Sequence, residues 1–237
     1  MTIYTPGKLV LAKDYTEGDR YFSNVSLLLH GNGTNGSTTI IDNSPTPKTV
    51  TAVGNAQIST AQSKFGGASV LFDGTGDYLS IANNAYFSFG SGDFTIEFWA
   101  YTTSATFPQT FVAKWGSTGF EEWYFGVGTS YGFYIHDGSI TLALPLNSIS
   151  TNQWVHLAVT RSGSDFRLFV DGTQSGSTYT SAASITTRTS EVRVGDDDFG
   201  ANPPFTGYID ELRITKGVAR YTGNFTPPTA AFADAQY

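Results

Sequence analysis

In the stretch "DFTIEFWAY" apolar side chains recur at every second position. Phe94, Ile96, Phe98 and Ala100 fall on one side, and Thr95, Glu97, Trp99 and Tyr101 on the other, which is the period of a β-strand with one buried face. "QWVHLAVTR" sets Val155, Leu157 and Val159 against Trp154, His156 and Ala158. Both of its faces carry apolar members, so it predicts a central strand. "FRLFVDG" closes on Asp-Gly, the dipeptide that accepts the positive φ angles of a tight hairpin, and a further strand is expected from about Thr173. "FDGTGDY", "IHDGSI" and "RSGSDF" punctuate other alternating runs in the manner of antiparallel strands joined by hairpins. No segment sustains a helical period with caps. The pattern predicts an all-β, two-sheet antiparallel sandwich running from about Ser26 to about Thr215.

Both ends differ from the middle. Residues 1–24 are polar, with Tyr4, Tyr15, Tyr21 and Phe22 interspersed, and read as an N-terminal docking arm. The domain proper is assigned to residues 25–218. Residues 219–237 combine Gly, a Pro-Pro pair and isolated aromatics, the composition of an extended segment that lies over a surface and docks Tyr221, Phe225 and Phe232. Pro-Pro cannot donate to a sheet ladder.

Composition agrees with the pattern. Aromatic residues are 15% and charged residues 14% of the 237, with 26 Gly, a profile of short strands and tight turns. Cysteine is absent, which excludes disulfides and thiolate zinc sites and leaves oxygen donors for any metal. The net charge of −7 and scattered basic residues argue against a nucleic-acid partner, which needs clustered Lys and Arg. No run reaches transmembrane length, and the first residues lack a signal-peptide pattern, so no membrane partner is expected.

The order of "LLLHGNGTNGSTTIIDNSP", "FGGASVLFDGTGDYLSI", "DFTIEFWAY", "NQWVHLAVTRSGSDFRLFVDG" and "FTGYIDELRITKGVARYTGNFTPP" resembles that of laminin G-like domains of the concanavalin A-like lectin/glucanase superfamily. The resemblance covers roughly Ser26 to Pro228. It implies a jelly-roll sandwich and, commonly, a structural calcium ion. The closing phrase "ELRITKGVARYTGNFTPPT" is similar to the variant found in bacteriophage virion proteins. Members of the superfamily include lectins, hydrolases, lyases and structural modules, so fold alone leaves function open.

Candidate chemistry begins with "YIDELRIT", where Asp210 and Glu211 adjoin. Strand alternation sends adjacent side chains to opposite faces, whereas a glycosidase needs two carboxyls roughly 5–9 Å apart around one bond. Acids at every second residue, as in the family's hydrolases, do not occur on a plausible strand. Alternation would put Asp210 with Leu212 and Ile214, and leave Glu211 as a surface residue beside Arg213. By resemblance, Asp42 and Asp210 lie close together where first and last strands meet, and are expected to hold one structural Ca2+, which takes about six to eight oxygens; the alternative is that Asp42 caps the following turn and Asp210 bonds backbone amides. Asp196, Asp197 and Asp198 form a loop where a second, weaker cation site is conceivable. Trp115, Trp123, Tyr124, Tyr131 and Tyr134, with Phe120 nearby, are candidates for a carbohydrate-stacking platform, although Trp123 and Phe125 also alternate as core residues do. His156 is expected to be a packed strand residue.

These readings converge on a non-enzymatic virion protein, a capsid decoration or tail-associated adhesion subunit assembled in the host cytoplasm. Its expected partners are other virion proteins, a host surface polysaccharide and copies of itself, nominally as a trimer. The alternative is a free-standing carbohydrate-binding module; a polysaccharide hydrolase or lyase ranks third.

Overall fold

The computed structural model describes residues 18–116, 119–128, 132–198 and 203–236; Tyr131 and residues 1–17 of the expected arm lie outside them. The described strands, in chain order, are β1 (Val25–Leu29), β2 (Thr51–Val53), β3 (Gln57–Ser59), β4 (Ser69–Asp73), β5 (Tyr78–Ile81), β6 (Phe94–Thr102), β7 (Gln109–Lys114), β8 (Trp123–Val127), β9 (Gly132–His136), β10 (Ile140–Pro145), β11 (Val155–Ser162), β12 (Asp165–Val170), β13 (Thr173–Thr180), β14 (Val192–Val194) and β15 (Thr206–Lys216). One sheet has the order β13-β12-β11-β6-β15-β4-β3, with β1 also paired to β15; the other runs β10-β9-β8-β7-β14-β5-β2. All these pairings are antiparallel, and the two sheets face each other as a jelly-roll sandwich. We call them the first and second sheets.

Core positions follow the alternation. Phe94, Ile96 and Phe98 of β6, Val155, Leu157 and Val159 of β11, and Phe166 and Leu168 of β12 meet Phe111, Trp123, Phe125 and Phe133 from the second sheet. Phe98 packs against Phe111 and Phe125 with ring centroids 5.2 and 5.3 Å apart. Burying side chains of this size, at about 1.5–3 kcal/mol each, drives the two layers together. The Asp171-Gly172 turn between β12 and β13 has φ of 48° and 74°, both left-handed as a tight hairpin of this kind requires. "IHDGSI" and "RSGSDF" likewise join neighbouring strands. "FDGTGDY" does not: it links β4 of the first sheet to β5 of the second, so its glycines mark a crossing between layers rather than a hairpin.

β15 departs most from simple alternation. Its first half pairs with β4 and its second half with β1 along one edge, while β6 occupies the other. Asp210 faces Trp99 and Arg213 faces Glu97, so Glu211 and Leu212 together oppose the single residue Phe98. This is a β-bulge, with Glu211 at φ 52°. The extra residue resets the period. Asp210 therefore joins Tyr208, Arg213 and Thr215 on the outer face, while Ile209, Leu212 and Ile214 face the core. Asp210 does not share the face of Leu212 and Ile214, and Glu211 is not a surface residue: it is fully buried.

The C-terminal segment covers part of that outer face. Tyr221 and Phe225 stack with centroids 3.5 Å apart and rest against Phe169 and His156, while Phe232 packs with Val25 and Leu28. Residues 18–24 are fastened at the same place. Asp19 accepts from Arg213 at 3.1 Å and Arg220 at 2.6 Å, and its amide donates to Ala235.

Candidate ligand-binding site

Beyond the row of Thr215, Thr95, Thr160 and Arg167, the outer face of the first sheet divides into three transverse rows. In the row beneath the C-terminal segment, Arg213, Glu97, Ala158 and Phe169 lie side by side. Glu97 is fully buried. Arg213 donates to its Oε1 at 3.0 and 2.8 Å, and the Tyr221 hydroxyl donates to Oε2 at 2.8 Å. Burial alone would raise the Glu97 carboxyl, but Arg213, His156 and Arg220 outweigh it and hold the group far below the usual carboxylate range. His156 is buried with Nε2 3.5 Å from Glu97 and its ring against Trp99. Every group in this row serves to hold the segment down.

The next row contains Asp210, Trp99 and His156. The loop after β3 folds over it. Asp210 Oδ2 accepts from the amides of Lys64 at 2.7 Å and Phe65 at 3.1 Å, while Oδ1 is buried without a partner among the described residues. Burial pushes the Asp210 carboxyl up to about 7, against the lowering effect of the two amides. Phe65 meets Trp99 edge-on and the Lys64 ammonium sits 3.8 Å from the indole.

The third row lies clear of both covers. Gln57, Leu71, Tyr208 and Tyr101 are register neighbours across β3, β4, β15 and β6, and Trp154, immediately before β11, continues the row. Tyr101 stands 5.8 Å from Tyr208 and 5.5 Å from Trp154, with interplanar angles of 79° and 58°. The three aromatic side chains are half-buried. Their two hydroxyls and the indole N–H bond to no described residue, so an aromatic strip with free polar ends faces outward.

The platform expected from sequence has another character. Trp115, Tyr124 and Tyr134 do come together, with Ala113, on the outer face of the second sheet. They meet edge-on at 5.6–6.3 Å, and Trp115 and Tyr124 are only 8% and 2% exposed. Tyr124 lies over Gly126, where an added Cβ would fall 2.1 Å from its hydroxyl. The cluster is spent on its own packing. Trp123 belongs to the core, fully buried, its indole N–H donating to the carbonyl of Phe87 at 2.9 Å. Alternation puts Trp123 and Tyr124 on opposite faces, so they could never have shared a platform.

The expected calcium pair does not converge. Asp42 sits on the edge of β1 away from β15, accepting from Leu28 N and Ser44 N with Oδ1 and from Ser44 Oγ and Lys48 N with Oδ2 at 2.7–3.0 Å. Its lone pairs are occupied, β1 separates it from Asp210, and the donor set does not fit a calcium ion. It is the turn-capping role that Asp42 fills. Among the described residues no cluster of three or more His, Asp and Glu is disposed to hold a metal. In the Asp196–Asp198 loop the like charges are relieved by Arg193, whose guanidinium lies 2.6 Å from Asp198 and 3.9 Å from Asp196.

Buried carboxylates are committed elsewhere too. Glu122 is engaged by Lys114, Ser88 and the Arg188 amide, and Glu211 by His30 and the Phe232 amide. Sequence reasoning missed the row of Tyr208, Tyr101 and Trp154. The signal available was that Tyr101 and Trp154 fall on the outward side of their alternating runs.

A family model described as the concanavalin A-like lectin/glucanases superfamily matches residues 73–220. Among solved structures, the chain is similar to the binding domain of Paraclostridial Mosquitocidal Protein 1, with a TM-score of 0.64 and 17% identity over 84% of this chain and 50% of that one. It is also similar to domain 4 of AbnA, a GH43 extracellular arabinanase from Geobacillus stearothermophilus solved with arabinotriose, with a TM-score of 0.58 and 17% identity over 82% of this chain and 94% of that one. A third is the receptor binding domain of botulinum neurotoxin D, with a TM-score of 0.58 and 15% identity over 84% and 51%. The chain spans about half the length of both toxin binding domains, and at these identities the likeness is one of fold. No curated protein sequence matches the chain.

Proposed function

The chain belongs to the concanavalin A-like lectin/glucanases superfamily, and from that membership we propose that it is a non-catalytic binding module for an extended surface polysaccharide. The observation that carries the proposal is the outward row Tyr208–Tyr101–Trp154. Neighbouring strands are about 4.8 Å apart, so the row presents three rings in succession to a chain lying across the strands. Sugar rings present C–H faces to aromatic rings, while the free hydroxyls and indole N–H can meet sugar hydroxyls. The commitment of Glu97, Glu122 and Glu211 to buried partners supports the non-catalytic part. The arabinotriose complex of AbnA domain 4 and the two toxin binding domains are similar in fold and consistent with a binding role. The full chain should bind at least one neutral polysaccharide in affinity electrophoresis, and Tyr101→Ala and Trp154→Ala should weaken that binding about tenfold at unchanged melting temperature. Retained binding by the double variant would overturn it.

For the setting we propose the surface of a bacteriophage particle, as a capsid decoration or tail adhesin assembled in the host cytoplasm and displayed as a homo-oligomer. Support comes from the closing phrase Glu211–Thr229 and from an N-terminus of docking composition. Because Asp19 is tied to Arg213 and Arg220, the informative deletion removes residues 1–17 and spares that anchor. The shortened chain should keep its fold and fail to join the particle; normal incorporation would sink the idea.

A further inference from the structure

A second feature, apart from the aromatic row, lies where the chain leaves β1. The segment His30–Asn32, the segment from Ile40 to Asn43 and the C-terminal residues Ala231–Asp234 line an open cavity of about 370 Å3, within the span of roughly 300–1,000 Å3 usual for small-molecule sites. Phe232 and Ile40 give it an apolar wall. Ile41 stands on its rim at 62% exposure, one of three large apolar side chains so exposed among the described residues.

Polar groups converge on the same space. The two carboxylate oxygens of Glu211 both lie 2.9 Å from His30 Nδ1, so the ring is fixed and its free nitrogen is Nε2. Burial works against a charge on His30, but the hydrogen bond and charge of Glu211, with Asp234 and Asp210 beyond, prevail and raise its pKa. With Nδ1–H given to Glu211, Nε2 is a donor when the ring is protonated and an acceptor when it is neutral. Asn32, Asn43 and Asp234 also line the cavity; the Asn32 amide is turned against Gly66, and no side chain of the three is hydrogen-bonded to a described residue. Glu211 holds its position at φ 52°, a left-handed conformation that non-glycine residues adopt chiefly at bulges, turns and functional sites. Gly31, at φ 69°, lets this corner close, since a Cβ there would fall 3.0 Å from the backbone of Ser69.

We propose that this cavity binds a single neutral sugar ring. An anion entering beside His30 would meet Asp234, and Glu211 already neutralises whatever charge His30 carries; the ring and the Asp234 carboxylate are left as groups to be hydrogen-bonded. A hydroxyl is donor and acceptor at once and suits both. The Asn43 amide extends the set to further hydroxyls, and Phe232 with Ile41 receives the C–H face.

Saturation-transfer NMR on the full chain with arabinose, xylose, glucose, galactose and mannose tests the assignment. At least one should receive saturation, and Asn43→Ala and Ile41→Ala should each reduce the transfer at least fivefold while melting within a few degrees of wild type. Phe120→Ser, at another exposed apolar residue, should leave it unchanged. No transfer to any of the five sugars would overturn the proposal, as would transfer that persists in both variants or that favours glucosamine or glucuronic acid. The probes are monosaccharides and the variants lie in the cavity, so this outcome is independent of polymer binding on the aromatic row.

Discussion

Asp210 and His30 bias the pH dependence of stability in the same direction. Asp210 has its carboxyl raised from 3.8 to about 7 by burial. The folded chain therefore holds a proton that the unfolded chain releases from about pH 4 upward. With more protons bound when folded, stability falls as pH rises. His30, raised above 6.5, contributes stability that is complete below that value and lost as pH climbs through its folded pKa. Glu97 is the counterweight at the acid end: its depressed carboxyl gives stability present above about 4.5 and lost as pH falls below it. The melting temperature should accordingly peak near pH 4–6 and decline toward pH 8. Asp210→Asn supplies one oxygen for the amides of Lys64 and Phe65 and removes the ionisation, so it should flatten that decline and stabilise the fold at pH 8 by on the order of a few kcal/mol. An unchanged slope between pH 4 and 8 in thermal melts of this variant would show that Asp210 does not ionise there. Both carboxylates are plain in the sequence, but their surroundings are not. The separation of neighbours by alternation holds only where the strand is regular, and nothing in "IDEL" marks the bulge that turns Asp210 outward and buries Glu211.

At the scale of elements, β15 and the C-terminal segment act as one closure. The strand joins β6 to both β4 and β1, and the segment returns over its outer side to seat Tyr221 on Glu97. Burial and the adjoining Glu97 push the Tyr221 phenol well above its ordinary value, so it remains a donor throughout the usable pH range. Tyr221→Phe keeps the stacking on Phe225 but leaves Glu97 Oε2 short of a donor. A buried acceptor so stranded costs about 1–3 kcal/mol, or several degrees in melting temperature for a chain of this length. An unaltered melt would mean that water replaces the hydroxyl and that the segment is held by its rings alone. The aromatic spacing of residues 219–237 and its Pro-Pro pair were plain in the sequence. The surface receiving them was not, because Glu97, Phe169 and Arg213 look like ordinary outward-facing strand residues until a second layer covers them.

For the whole molecule, the sandwich was legible because burial of one face imposes a period of two on strand after strand, and "DFTIEFWAY" and "QWVHLAVTR" carry it almost without error. A binding surface imposes no such period. Tyr208, Tyr101 and Trp154 come from three distant parts of the chain and meet only through sheet register, whereas Trp115, Trp123, Tyr124 and Tyr134 are close in sequence and divide between a packed cluster and the core. The same distribution of charge and ring decides how the proposed polysaccharide binding should respond to salt. The net charge is −7, so an acidic polymer would be repelled, and attraction through lysines and arginines would weaken steeply as salt rises. The Tyr208–Tyr101–Trp154 row itself bears no ionised side chain, and stacking with hydroxyl contacts is not screened. Affinity electrophoresis of the full chain should therefore give the same retardation by a neutral polysaccharide at low and at high NaCl, with the Tyr101→Ala and Trp154→Ala losses equal at both. Retardation that disappears at high salt would assign the binding to charged groups elsewhere and leave the row with no part in it.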